Sequence, residues 1–173
     1  LVRRLIMEYS IVYSSNTGNT LQLAQTIKDY LPQNSISYFG KPDSSISLSE
    51  VLFVGFWCDK GTCDDAMSLF LKSLNNKKIF LFGTCGFGKD EDYFKKIISN
   101  VSSLVNDSNE IIDSFMCQGK MQIGIRHKYE SMLDQNPTQM SALIDNFDKA
   151  LSHPDETDLN SLLKHIKSYT ESV

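Results

Sequence analysis

No apolar run in this 173-residue chain approaches the roughly 20 residues of a membrane-spanning helix. Nor is there an excess of positive charge. The formal net charge of −4 leaves no basic face for nucleic acid, and it suits a partner protein with a basic docking patch. Cysteine is scarce: four residues in a chain of this size do not make a disulfide framework, so reduced thiols are expected. Proline is equally scarce at four, and no low-complexity tract, repeat or linker interrupts the sequence. Leu1–Ile6 is too short for a signal peptide. Met7 is expected to be the natural start, with 1–6 carried over from expression, and 7–173 to form a single cytoplasmic domain.

What is present is a regular alternation of strand and helix patterns. Tyr9–Tyr13, Val51–Trp57 and Lys78–Thr84 are nearly continuous apolar runs, the composition of parallel strands covered on both faces. Ser35–Phe39 reads as an edge strand and Ile111–Cys117 as a fifth strand. Helical spacing follows Leu21–Ile27. It recurs in Asp65–Leu74, with Ala66, Leu69, Phe70 and Leu74 on one side. A third helix is expected at Asp90–Leu104, with Phe94, Ile97, Ile98, Val101 and Leu104 facing the core. The expected fold is α/β, a doubly wound parallel sheet with helices on both faces. Right-handed crossovers would gather the loops after strands one, three and four at its carboxyl edge. Three further helices, Ile125–Leu133, Thr138–Leu151 and Glu156–Tyr169, are predicted beyond it; the last packs on the sheet and the other two are an embellishment.

The first of those loops, Ser14–Thr20, joins a strand to a helix N-terminus, where unpaired N–H groups and the helix dipole favour an anion. Ser15, Thr17, Asn19 and Thr20 add hydroxyl and amide donors, and Gly18 permits a positive φ. Without Lys or Arg the loop lacks the charge that a nucleoside triphosphate and Mg²⁺ require, so a single phosphate is the better match. Trp57, the only tryptophan, ends the third strand beside it, placed to stack on a planar ring. The third loop, Thr84–Lys89, brings Phe87 and two glycines, Gly86 and Gly88, suited to close backbone approach. One ligand accounts for all three loops: FMN, with its phosphate in Ser15–Thr20 and its ring between Trp57 and Phe87.

Ser15-Asn16-Thr17-Gly18-Asn19-Thr20 resembles the S/T-x-T-G-x-T phosphate loop of the flavodoxin family, and the likeness extends over Tyr9–Gly119. The resemblance implies a five-stranded sheet of order 2-1-3-4-5, FMN held without a covalent bond, and electron transfer between redox partner proteins. Carried onto this sequence, the site would comprise Ser15–Thr20, then Phe56, Trp57, Cys58, Asp59 and Gly61, then Thr84, Cys85, Gly86, Phe87 and Gly88. Many flavodoxins place glycine after the tryptophan, where its peptide flips towards the reduced ring. Cys58 stands there, and a side chain makes that flip costlier by about 1 kcal/mol. The third loop also offers Phe87 in place of the tyrosine common in the family, the nearest being Tyr93. Cys117-Gln118-Gly119-Lys120 resembles a run found in some flavodoxin-like proteins, where it turns the chain beneath the ring.

Asp59, Asp64, Asp65, Asp90, Glu91 and Asp92 are expected to crowd the ring, which would push its second reduction to low potential. Cys58 and Cys63, with four residues between them, form a candidate redox-sensitive pair; theirs is the one pair with a zinc-type spacing, and with Cys85 and Cys117 isolated no metal or iron–sulfur cluster is expected. His127, His153 and His165 are expected on helix surfaces. Gly83, Gly86 and Gly88 are not ordered as a dinucleotide fingerprint. Two other readings compete with the carrier. One is an FMN-dependent reductase of a quinone or tetrapyrrole using NAD(P)H or another donor, with the extra helices as a substrate wall. The other is an interaction module that kept the fold and lost the cofactor.

Overall fold

The computed structural model describes residues 6–88 and 90–171; Lys89 and all but Ile6 of the residues expected to be carried over from expression lie outside the described residues. Five parallel strands, β1 (Tyr9–Tyr13), β2 (Ile36–Gly40), β3 (Val51–Trp57), β4 (Lys78–Cys85) and β5 (Glu110–Gln118), form one sheet. Their order is β2-β1-β3-β4-β5, as expected, so strand order reverses between β1 and β3. The apolar runs define the interior: every residue of β3 but Trp57 is buried, as is every residue of β4 but Lys78.

Alternation along the strands separates two cores. On one face, Ile11, Phe53, Phe80 and Phe82 meet α1 (Asn19–Tyr30) and α6 (Glu156–Thr170), through Leu23, Ala24, Ile27, Leu162 and Ile166. On the other, Val12, Val54, Phe56 and Leu81 meet α2 (Asp65–Ser73) and α3 (Glu91–Ser102). The inward face of α2 differs from expectation. Met67, Phe70, Leu71 and Leu74 are buried at i, i+3, i+4, i+7, while Leu69 is 70% exposed and Ala66 is exposed. Burying Met67 and Leu71 removes more apolar area from water than burying Ala66 and Leu69, and it lines α2 up with the buried Cys63.

α4 (Ile123–Ser131) and α5 (Pro137–Ala150) cover neither sheet face; they pair with each other beyond the carboxyl edge. Arg126 on α4 ties the pair through Asp148 of α5, with Nε–Oδ1 at 2.9 Å and NH2–Oδ2 at 3.1 Å. α6 begins at a capping box in which Asp155 and Asp158 each accept the other's backbone N–H. His153 stands in the α5–α6 loop, half-buried, with Nδ1 2.6 Å from Asp158, and is not a helix-surface residue.

Candidate functional site

The loops after β1, β3 and β4 meet at the carboxyl edge of the sheet around a cleft of about 320 Å³, within the range of cofactor sites. Gly18, at φ 90°, is the N-cap of α1, and Ser15 Oγ accepts from Leu21 N–H at 3.2 Å. Among the described residues, the N–H groups of Asn16, Thr17, Gly18, Asn19 and Thr20 have no partner. They form an anion nest at the helix's positive end, so Ser15 and Gly18 serve the site through backbone and cap rather than by lining the cleft.

Two side chains of this loop do other work than expected. The Thr20 hydroxyl is fully buried, donating to Phe56 O at 3.2 Å and paired with Thr84 Oγ1 at 3.0 Å. It clamps α1 to β3 and β4 and is not free for a phosphate. Thr20→Val is expected to leave two buried polar groups short of a partner and to cost about 1–3 kcal/mol, read from the urea midpoint. Asn19 lines the cleft and donates to Lys120 O at 2.8 Å and Thr17 Oγ1 at 2.9 Å. Its Oδ1 is buried with no partner, the one such side-chain atom among the described residues. An acceptor left so at the wall of a cleft suits a ligand hydroxyl.

In the second loop, Trp57, Cys58 and Gly61 line the cleft. Trp57 Nε1 donates to Asp64 Oδ2 at 2.8 Å, and Ser14 Oγ donates to the same oxygen. Asp64 Oδ1 caps α2 by accepting Met67 N–H at 2.8 Å. One carboxylate thus fixes the indole, the end of β1 and the start of α2 together. Asp59 and Thr62 exchange backbone hydrogen bonds around Lys60 (φ 51°) and Gly61 (φ 82°), a two-residue hairpin turn of the primed type. Phe56 is fully buried in the α2–α3 core and touches no cleft, because alternation turns it to the face opposite Trp57.

Thr84, Cys85, Gly86 and Phe87 line the third side; Gly88 and Asp59 do not reach it. The space beside Gly86 is taken by protein: a Cβ there would lie 2.5 Å from Met121 Sδ. That glycine admits the segment after β5, not a ligand. Gln118 and Asn146 each donate to Gly86 O at 3.0 Å, so β5 and α5 hold the loop from behind.

Beyond Gly119 and Lys120, the fourth wall comes from the helices that only the competing reductase reading assigned to one. Met121 and Gln122, then Ile125 and Tyr129 of α4, close the cleft opposite the first three loops, with Tyr93 beside Cys85. No local pattern announces them, since α4 has no fully buried residue and little amphipathic contrast. The acids expected around the cleft stand behind its wall, Asp64 bonded to Trp57. Asp64 and Asp90 are helix caps, and none of the six lines the cleft; the charged lining residues are Lys60 and Lys120.

The β3–β4 ladder gives Cys58 a thiol neighbour that was not expected. Cys58 N–H donates to Thr84 O at 2.8 Å, continuing the β3–β4 ladder one step beyond Trp57↔Thr84. Cys58 is therefore beside Cys85 in the ladder, while Cys63, the residue that flanks the Asp59–Thr62 pair on the other arm of the hairpin, is buried in the α2 core. The Cys58 thiol donates to Cys85, and Tyr93 Oη lies 3.5 Å from Cys85 Sγ. These donors, with the N–H groups of Phe87 and Gly86, outweigh burial and lower the Cys85 thiol to about 6. Giving that bond raises the Cys58 thiol, and burial adds to the rise. Burial also pushes Cys117, on the opposite core, well above the usual thiol range.

A family model described as "Flavodoxin domain" matches residues 10–167. The chain is 40% identical over 172 residues to a flavodoxin-like domain-containing protein, BilS, of Clostridium symbiosum, covering 88% of this chain and 90% of that one. Among solved structures it is similar to oxidised flavodoxin 2 from Bacillus cereus, with a TM-score of 0.56 at 13% identity over 96% of this chain and 99% of that one. It is also similar to a flavoprotein in complex with FMN from Lactobacillus acidophilus, with a TM-score of 0.50 at 13% identity over 64% and 93% of the two chains.

Proposed function

Since the chain belongs to the flavodoxin family, we propose that it binds FMN without a covalent bond and transfers electrons between redox partner proteins. The observation that carries this reading is the five-donor nest at the start of α1, opening beside a cleft bounded by Trp57 and Phe87. The nest supplies neutral donors and a helix dipole to a single phosphate, and the cleft is within the size range of a cofactor site. The buried, unpartnered Oδ1 of Asn19 supplies an acceptor between the two.

FMN, when bound, supplies the one- and two-electron chemistry that no side chain here provides. The chain's own residues hold it and set its surroundings. Asn16–Thr20 offer N–H groups to the phosphate, Trp57 is oriented for stacking by Asp64, and Phe87 and Tyr129 line the cleft with further aromatic surface. Lys60 and Lys120 add positive charge at the wall. The net charge of −4 favours partners with basic docking surfaces, so association with them is expected to weaken as salt rises. The test is the visible spectrum of the purified protein, and of the protein titrated with FMN. A flavin spectrum at one FMN per chain supports the reading, and a colourless protein that ignores added FMN defeats it.

One observation favours the second reading, an FMN-dependent reductase of a quinone or tetrapyrrole. Met121, Ile125 and Tyr129 give the cleft an apolar and aromatic wall from outside the sheet. Steady-state oxidation of NAD(P)H with small acceptors separates the two, because turnover without a partner protein belongs to the enzyme alone.

A further inference from the structure

We propose that Cys58 and Cys85 form a reversible thiol–disulfide site facing the cleft, which reacts with small-molecule disulfides. The backbone places them for it. They follow the last paired residues of neighbouring strands, and the Cys58 N–H to Thr84 O bond of 2.8 Å keeps the ladder in register between them. Adjacent strands lie about 4.8 Å apart, inside the window of about 4.4–6.8 Å between the Cα atoms of a disulfide. Alternation turns both side chains to the α2–α3 face, and both line the cleft, Cys58 half-buried and Cys85 buried at 5% exposure. The other two thiols do not line the cleft: Cys63, across the Asp59–Thr62 hairpin from Cys58, is buried beneath α2, and Cys117 is on the opposite core.

The chemistry divides between the two sulfurs. Cys85 is stabilised as thiolate by the Cys58 thiol, by Tyr93 Oη and by the N–H groups of Phe87 and Gly86. It attacks one sulfur of the small disulfide, forming a mixed disulfide on Cys85 and expelling one thiolate. Cys58 then loses its proton and attacks the Cys85 sulfur, closing the protein disulfide and releasing the second small thiol. One disulfide is consumed and one formed. Two electrons pass from the protein to the oxidant, and the Cys58 proton leaves on a released thiol. The titratable groups facing the pair are Tyr93 and Asp59.

The test is incubation with oxidised glutathione, with and without saturating FMN, followed by thiol counting and peptide mapping. The four free thiols are expected to fall to two, with a Cys58–Cys85 cross-link that dithiothreitol reverses. Cys58→Ser is expected to stop at a glutathione adduct on Cys85, and Cys63→Ser to change nothing. The rate should level off with rising pH while an ordinary thiol is still gaining reactivity, because the donors around Cys85 lower its thiol. Retention of all four thiols, a bridge to Cys63, or no adduct on Cys85 in Cys58→Ser overturns the proposal. Only the FMN arm rests on the cofactor reading: bound FMN is expected to slow the reaction at least about ten-fold by covering the thiols. A bridge that forms equally fast with FMN present supports the pair and counts against the placement of FMN.

Discussion

Gly83→Ala is expected to destabilise the fold by about 3 kcal/mol and to disturb the cleft with it. A Cβ at Gly83 would lie 2.5 Å from Phe56 Cζ, the end of a ring that is fully buried. Phe56 is opposite Gly83 in the β3–β4 register, and Gly55 is opposite Phe82, so each strand lays an aromatic ring over its neighbour's glycine. Neither ring can retreat, since close-packed surroundings transmit strain and do not absorb it. The next residues along are Trp57 and Thr84, which line the cleft. A displaced Phe56 therefore acts on FMN affinity as well as on the urea midpoint. The pairing is tested by a double-mutant cycle. Phe56→Leu shortens the ring that the new methyl strikes, so the two substitutions together should cost less than the sum of each alone. Additive losses in urea unfolding would show that the ring and the glycine do not meet.

How much of this was legible in the sequence depended on whether the signal was local. β3 and β4 are buried on both faces, so their residues are apolar without interruption, and their bounds follow from composition. The anion nest is equally local, being a strand, the five-residue loop Ser14–Gly18 and a helix start. α2 was harder, because apolar residues at 66, 67, 69, 70, 71 and 74 satisfy two helical faces at once, and only the volumes meeting β3 and β4 decide between them. Cys58 invited pairing with Cys63 by nearness in the chain, and only the ladder between β3 and β4 reveals that Cys85 is beside it as well. The acids drew attention as a cluster, yet Asp64 and Asp90 were accounted for by helix capping. Ile125 and Tyr129 reach the cleft only because α4 is held over it by Arg126, Asp148 and the turn after β5. A contact made across most of the chain leaves no periodicity to read.

Trp57→Ala is expected to weaken FMN binding by about 1–3 kcal/mol, the range for aromatic stacking on a base, or about 5- to 150-fold in Kd. The indole is suited to stacking because it is half-buried at the cleft wall and its one donor is already committed to Asp64 at 2.8 Å. A ring fixed beforehand loses less freedom when a ligand arrives. Asp64→Ala separates orientation from stacking. It leaves the indole in place but removes its hydrogen bond, the bond from Ser14 and the cap on α2. Losing the cap alone costs about 1–2 kcal/mol of stability, so Asp64→Ala should lower the urea midpoint more than Trp57→Ala while weakening FMN less. Trp57→Phe should fall between wild type and Trp57→Ala in affinity, keeping an aromatic face but not the tether. Quenching of FMN fluorescence on titration with each variant measures the three affinities. If Trp57→Ala binds FMN as tightly as wild type, the indole is no part of the cofactor's contact surface. A fall of equal size in Asp64→Ala and Trp57→Ala would instead make the tether, and not the aromatic face, the source of the affinity.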